Sequence, residues 1–178
     1  MYKNLRNLLA KELVPDESEK TQSLIVKLRG AQKRGHITKP EFLEICRWKS
    51  PRAIRQCERN SASKIKMQSS IAFGTRSEHI KLEALTALHG VSIPMASAIL
   101  TLTNPRRYGV IDIRVWQLLF DLKSVRTKPR GVGFNFNNWY HYLMKLRYHA
   151  KELKVTARCV EYSLFRYHQK IQTGLLYK

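Results

Sequence analysis

Leu5, Leu8, Leu9 and Leu13 recur at three- and four-residue steps, which lines one face of a helix, and Pro15 ends the pattern. A second helix opens at Ser18 or Glu19, carries Leu24, Ile25 and Leu28 on one face, and closes on the basic end Lys33, Arg34 and Gly35. Thr38-Lys39-Pro40-Glu41 has capping-box spacing and starts a third helix through Phe42, Leu43 and Ile45. Ser50-Pro51 begins a fourth, because Ser caps and Pro is tolerated in a first turn. A fifth starts at Ser61 or Ser63, uses Ile65, Met67 and Ile71 as its apolar positions, and ends near Gly74. Ser77 caps a sixth that bears Leu82, Leu85 and Leu88.

Helical spacing continues over 94–103, 113–121, 137–152 and 156–171. The long interruption at 122–136 contains Gly131-Val132-Gly133, which reads as a flexible turn. Sustained alternation of apolar and polar residues, the mark of a sheet, is missing, and so is any internal repeat. The pattern predicts one all-α domain over 1–178, compact for its length of 178 residues.

Charge then narrows the partners. Lys and Arg total 33 against 13 Asp and Glu, a formal net charge of +20. An excess of this size favours a polyanion, with nucleic acid ahead of an anionic membrane. Three scattered cysteines, Cys46, Cys57 and Cys159, argue against a disulfide framework and fit a reducing compartment. Neither a CxxC nor a Cys/His cluster is present, so no metal site is expected, and His79, His141, His149 and His168 read as structural. The 22 residues between Glu83 and Arg106 lack charge, but His89, Gly90, Pro94, Asn104 and Pro105 make them a buried element rather than a membrane span. No apolar stretch follows the basic start, so a cytoplasmic monomer is expected, nucleoid-associated in a bacterium.

Chemistry concentrates in 82–120. Leu88-His89-Gly90-Val91-Ser92-Ile93-Pro94-Met95-Ala96 joins two helices by a short turn, and such a turn can aim main-chain N–H groups at a phosphate. Downstream comes Asn104-Pro105-Arg106-Arg107-Tyr108-Gly109-Val110-Ile111-Asp112-Ile113-Arg114-Val115-Trp116. Gly90 and Asp112 lie 22 residues apart, and Asp112 is the one acidic residue between Ala84 and Phe120.

Together these segments resemble the helix–hairpin–helix DNA glycosylases, the superfamily of endonuclease III and the 8-oxoguanine and alkyladenine glycosylases. There a Leu-Pro-Gly-Val-Gly hairpin precedes a Val-Asp-x-His-Val motif, and Val115-Trp116 has the flavour of the 8-oxoguanine branch. The resemblance implies a compact helical fold with a central helix–hairpin–helix at about 82–103, a catalytic segment at about 104–120 and a basic loop at 122–136. It implies double-stranded DNA carrying a damaged or modified base as partner, and Asp112 as the carboxylate that promotes hydrolysis of the N-glycosidic bond. No cofactor is implied beyond a monovalent cation that some members hold on hairpin carbonyls. His89 replaces the family's proline, Arg114 its histidine and Ser92 its second glycine; Ser92 would be strained if that position needs positive φ. Pro94 stands where bifunctional members place a Schiff-base lysine, which implies a monofunctional enzyme.

On this reading Gly90, Val91, Ser92 and Met95 contact DNA, with Arg106, Arg107, Arg114, Lys128 and Arg130 on phosphates and Lys123 and Arg126 nearby. Trp48, Tyr108, Trp116, Phe136 and Trp139 are the candidate walls of a base pocket. Asp is also a favoured helix N-cap, and the two roles can coexist at Asp112. Substrates from oxidised, alkylated or deaminated bases in repair to a modified cytosine of foreign DNA in defence fit equally. The alternatives are a non-catalytic DNA-binding module with the same hairpin, and an RNA-binding or DNA-processing accessory protein that uses it as a clamp.

Overall fold

Asn4 opens the first helix by accepting the Asn7 amide on its side chain at 2.9 Å, one of the orphan N–H groups that any helix start must satisfy. The computed structural model describes Tyr2–Thr173 and Leu176. Those residues form ten α-helices and no strand: α1 (Leu5–Glu12), α2 (Glu19–Arg34), α3 (Lys39–Lys49), α4 (Ile54–Glu58), α5 (Ala62–Gly74), α6 (Glu78–Thr86), α7 (Ile93–Thr103), α8 (Ile113–Asp121), α9 (Phe136–Leu153) and α10 (Ala157–Ile171). The all-α reading holds. Thr38 and Glu41 form the predicted capping box, and Ser61 and Ser77 cap α5 and α6.

Two local expectations need correction. Pro51–Ala53 forms a 3-10 turn ahead of α4, and the Ser50 side chain makes no cap there. On α5, Met67 and Ile71 are 53% and 45% exposed, while Ile65, Ser69 and Ala72 face inward. Ser69 belongs inside because its hydroxyl donates to the Ile65 carbonyl at 2.7 Å and accepts the Ile37 amide at 3.1 Å.

Within the chain the helices gather into two compact units. One is Glu19–Pro105 and the other combines Met1–Ser18 with Arg106–Lys178. The hairpin lies in the first and Asp112 in the second.

The centre of the Glu19–Pro105 unit is α7, buried at every position from Met95 to Thr103. Its polar residues are satisfied within the helix: the hydroxyls of Ser97, Thr101 and Thr103 donate to the carbonyls of Pro94, Ser97 and Ile99 at 2.7–2.8 Å. The uncharged 84–105 segment is therefore a core element, packed by α2, α3 and α6. No helix among the described residues is long and apolar enough to cross a membrane.

In the second unit α10 packs against α1, α8 and α9. Leu8, Trp116, Trp139, Tyr142 and Leu164 are fully or almost fully buried there. A buried leucine such as Leu8 contributes roughly 1.5–3 kcal/mol over an exposed one.

Candidate functional site

Between α6 and α7 the chain turns through Ala87–Ser92. Gly90 takes φ +76, where an L side chain is strained. A Cβ at this position would also lie 2.9 Å from Cys57 Sγ and from Gln56 Cβ, so glycine lets the turn sit directly on α4. Asn60, 1% exposed, fixes the turn from the same side. Its Oδ1 accepts the His89 amide and its Nδ2 donates to the His89 carbonyl, both at 2.9 Å. Sequence reading misses Asn60, because its partner is 29 residues away and nothing local marks the pairing.

Ser92 is extended at φ −83 and ψ 172, so replacing the family's second glycine costs no backbone strain. Ser92 is exposed and its side chain does not cap α7. In the first turn of α7 Pro94 has no N–H, so the Ile93 and Met95 amides are the ones left without a cap from Ser92. Val91 and Met95 are 6% and 2% exposed, and the Val91 amide is taken by the Leu88 carbonyl. Within the turn the His89 carbonyl accepts the Asn60 side-chain amide.

The carboxylate is built by the other unit. Asp112 is the N-cap of α8, accepting the Arg114 amide on Oδ1 at 3.0 Å, and it is half-buried. Two residues earlier, both main-chain groups of Val110 are held by buried side chains. Tyr142 from α9 donates its hydroxyl to the Val110 carbonyl at 2.8 Å, and the Val110 amide donates to Glu161 from α10 at 3.3 Å. Gly109 permits this approach, since a Cβ there would meet Leu146 at 2.4 Å and Glu161 at 2.8 Å. Glu161 in turn pairs with Arg158, which also binds Glu17 at 2.6 Å, all three largely out of water. Burial pushes the Glu161 carboxyl above its usual range against the pull of Arg158, and the negative charge of Asp112 pushes the same way. Sequence reading does not find these contacts, because Tyr142 on α9 and Arg158 and Glu161 on α10 look like ordinary members of amphipathic helices.

A cavity of about 410 Å³ opens beside α8, with Ile113 and Gln117 on one wall and Arg130, Val132, His168 and Gln172 on the others. Asp112 itself does not line it. His168 is 6% exposed, and its Nδ1 has no hydrogen-bond partner among the described residues. Burial and then the Arg114 guanidinium hold the His168 imidazole below its usual range, and burial does the same to His149. The unfolded chain therefore binds protons more readily than the folded one near these values. Their contribution to stability is complete above the ordinary histidine value of about 6.5 and is lost as pH falls through the lowered ones. Thermal melts should show stability dropping on acidification below about pH 6.5; a flat response over that range contradicts the assignment.

The expected aromatic walls fall elsewhere. Tyr108, Trp116 and Trp139 are 3%, 1% and 0% exposed and pack into the core, with Trp116 also bordering a groove beside Ser124–Thr127. Trp116 donates its indole N–H to the Thr127 carbonyl at 3.1 Å, and Tyr108 lies beneath the Arg147 guanidinium, 5.0 Å from the ring centre. Trp48 sits in the Glu19–Pro105 unit and donates to Thr21 at 3.0 Å. Phe136 is half-buried and stacks on Tyr140 with centroids 5.5 Å apart. Aromatic spacing on α8 and α9 reports packing, which uses large rings first.

Among the cations, Arg106, Arg107 and Arg130 are exposed and Lys128 is half-buried. Arg114 is held by Gln172 and lies over the Phe165 ring. The 122–135 segment lies against α8. Gln117 donates to the Arg130 carbonyl at 3.2 Å, and at Gly131, with φ +68, a Cβ would come 2.9 Å from the Ile113 carbonyl oxygen.

Compared with protein-family models, with curated proteins and with solved structures, the chain matches none of them.

Proposed function

We propose that the protein is a monofunctional DNA glycosylase that releases a damaged or modified base by hydrolysis and leaves an abasic site. The observation that carries this reading is Asp112: a partly accessible carboxylate at a helix start, in a chain of net charge +20, with the segment before it clamped at Val110 from two helices. Cleaving an N-glycosidic bond builds positive charge on the sugar near C1′. A fixed carboxylate stabilises that charge and orients or deprotonates the attacking water.

The supporting parts have separate tasks. Main-chain N–H groups at the start of α7 and the exposed arginines 106, 107 and 130 suit phosphates without reading sequence. The cavity beside α8 suits the extruded base: apolar walls from Ile113 and Val132, and polar groups from Gln117, Asp121, His168 and Gln172. Pro94 has no amine, so the Schiff-base route is closed at that position.

The test is incubation with duplexes carrying oxidised, alkylated, deaminated or bulky modified bases, with mass analysis of what is released. Free base from at least one duplex is expected, with strand breaks only after alkali or heat. No release from any duplex would overturn the enzymatic reading, and a borohydride-trapped adduct would overturn the monofunctional one. A second reading, a DNA-binding module without catalysis, is favoured by the Asp112 to Arg114 cap, which by itself accounts for an aspartate at this position.

A further inference from the structure

A second groove, of about 740 Å³, runs between one face of α9 and the segment Ser124–Thr127. On α9 it is lined by Asn138, His141, Lys145, Tyr148 and His149, whose three- and four-residue steps put them on one side of the helix. That face is about 16 Å long at 1.5 Å per residue. Arg126 stands exposed on the opposite wall, and no carboxylate lines the groove. Burial and then Lys145 lower the His149 pKa, Glu152 opposes them, and Arg6 of α1 adds a smaller push in the same direction as Lys145. Tyr148 is 61% exposed, a large ring left in water with its neighbour His149 edge-on at 5.1 Å.

Cations alone would suit any polyanion. An exposed ring set among cations suits a chain that carries flat groups as well as phosphates. A paired duplex keeps its bases stacked away from such a ring, whereas an unpaired strand can lay one on it. We propose that this groove binds a short unpaired stretch of nucleic acid, with phosphates on Lys145 and Arg126 and one base stacked on Tyr148. The site is separate from Asp112, so it stands or falls independently of the glycosylase reading.

Fluorescein-labelled oligothymidylate is titrated into the full chain and followed by anisotropy, with His149 observed by NMR. Binding is expected to raise the His149 pKa, because a phosphate offsets the Lys145 and Arg6 charges. Tyr148→Ala should weaken oligothymidylate about fivefold or more, the effect of losing one stacked base. Lys145→Glu with Arg126→Glu should weaken it further, while binding of an intact duplex changes little. Inorganic polyphosphate, which has charge without rings, should be insensitive to Tyr148→Ala. Unchanged oligothymidylate affinity in Tyr148→Ala would overturn the proposal, as would a His149 pKa that does not move at saturation. Of the three substituted sites Arg126 and Tyr148 are exposed and Lys145 is half-buried, and circular dichroism of each variant confirms that the helices are retained.

Discussion

Asp112→Asn is expected to lower base release by about 10²–10⁴-fold, the range that a positioned acid or base contributes, with DNA affinity equal or higher. The substitution isolates chemistry from structure. Asn is as good an N-cap as Asp, so the hydrogen bond from the Arg114 amide and the start of α8 are kept. Losing a negative charge in a protein of net charge +20 can only favour a polyanionic ligand. Asp112→Ala provides the contrast, removing the cap as well and costing about 0.5–2 kcal/mol of stability. Near-normal release by Asp112→Asn would remove the carboxylate from the mechanism and leave the DNA-binding module as the reading.

The second large effect is on stability. Arg158→Met should cost about 3–5 kcal/mol in urea denaturation, because it strands two carboxylates in the interior. The side chains of Arg158, Glu17 and Glu161 are only 9%, 9% and 2% exposed, so water cannot replace the guanidinium. Glu161→Gln is expected to cost less: the amide oxygen still accepts the Val110 amide, and Arg158 keeps Glu17. A wild-type urea midpoint in Arg158→Met would show that the pair is solvated in practice. Because Glu161 also holds the segment that leads to Asp112, milder variants of the pair should lower kcat more than they change DNA binding. Equal losses in both would point to general loosening of the unit.

Much of the helical framework was legible in residue order alone. Periodic leucines, the Thr38–Glu41 box and the caps Ser61, Ser77 and Asp112 act within one or two turns, so local physics suffices to place them. Helix boundaries at 113–121 follow directly from such signals. Composition set the net charge of +20, and with it the class of partner to consider. A short turn around Gly90 between two helices was legible too, whereas its left-handed φ, and the extended Ser92 that needs none, belong to the structure.

Tertiary structure decided what those residues do. The reason Gly90 admits nothing larger is Cys57, more than thirty residues upstream, and the reason Val110 is rigid lies on α9 and α10. Trp139 reads as a pocket wall in one dimension and is core in three, because a large ring gains most where contact is complete, while the nearly buried Trp116 still borders the groove along α9. Conversely, His168 and Tyr148 looked ordinary until burial stranded one without a partner and exposure left the other in water. Local interactions fix the elements; which side chain meets solvent, a cavity or a buried charge depends on contacts between residues distant in the chain, and no window of sequence contains both ends of them.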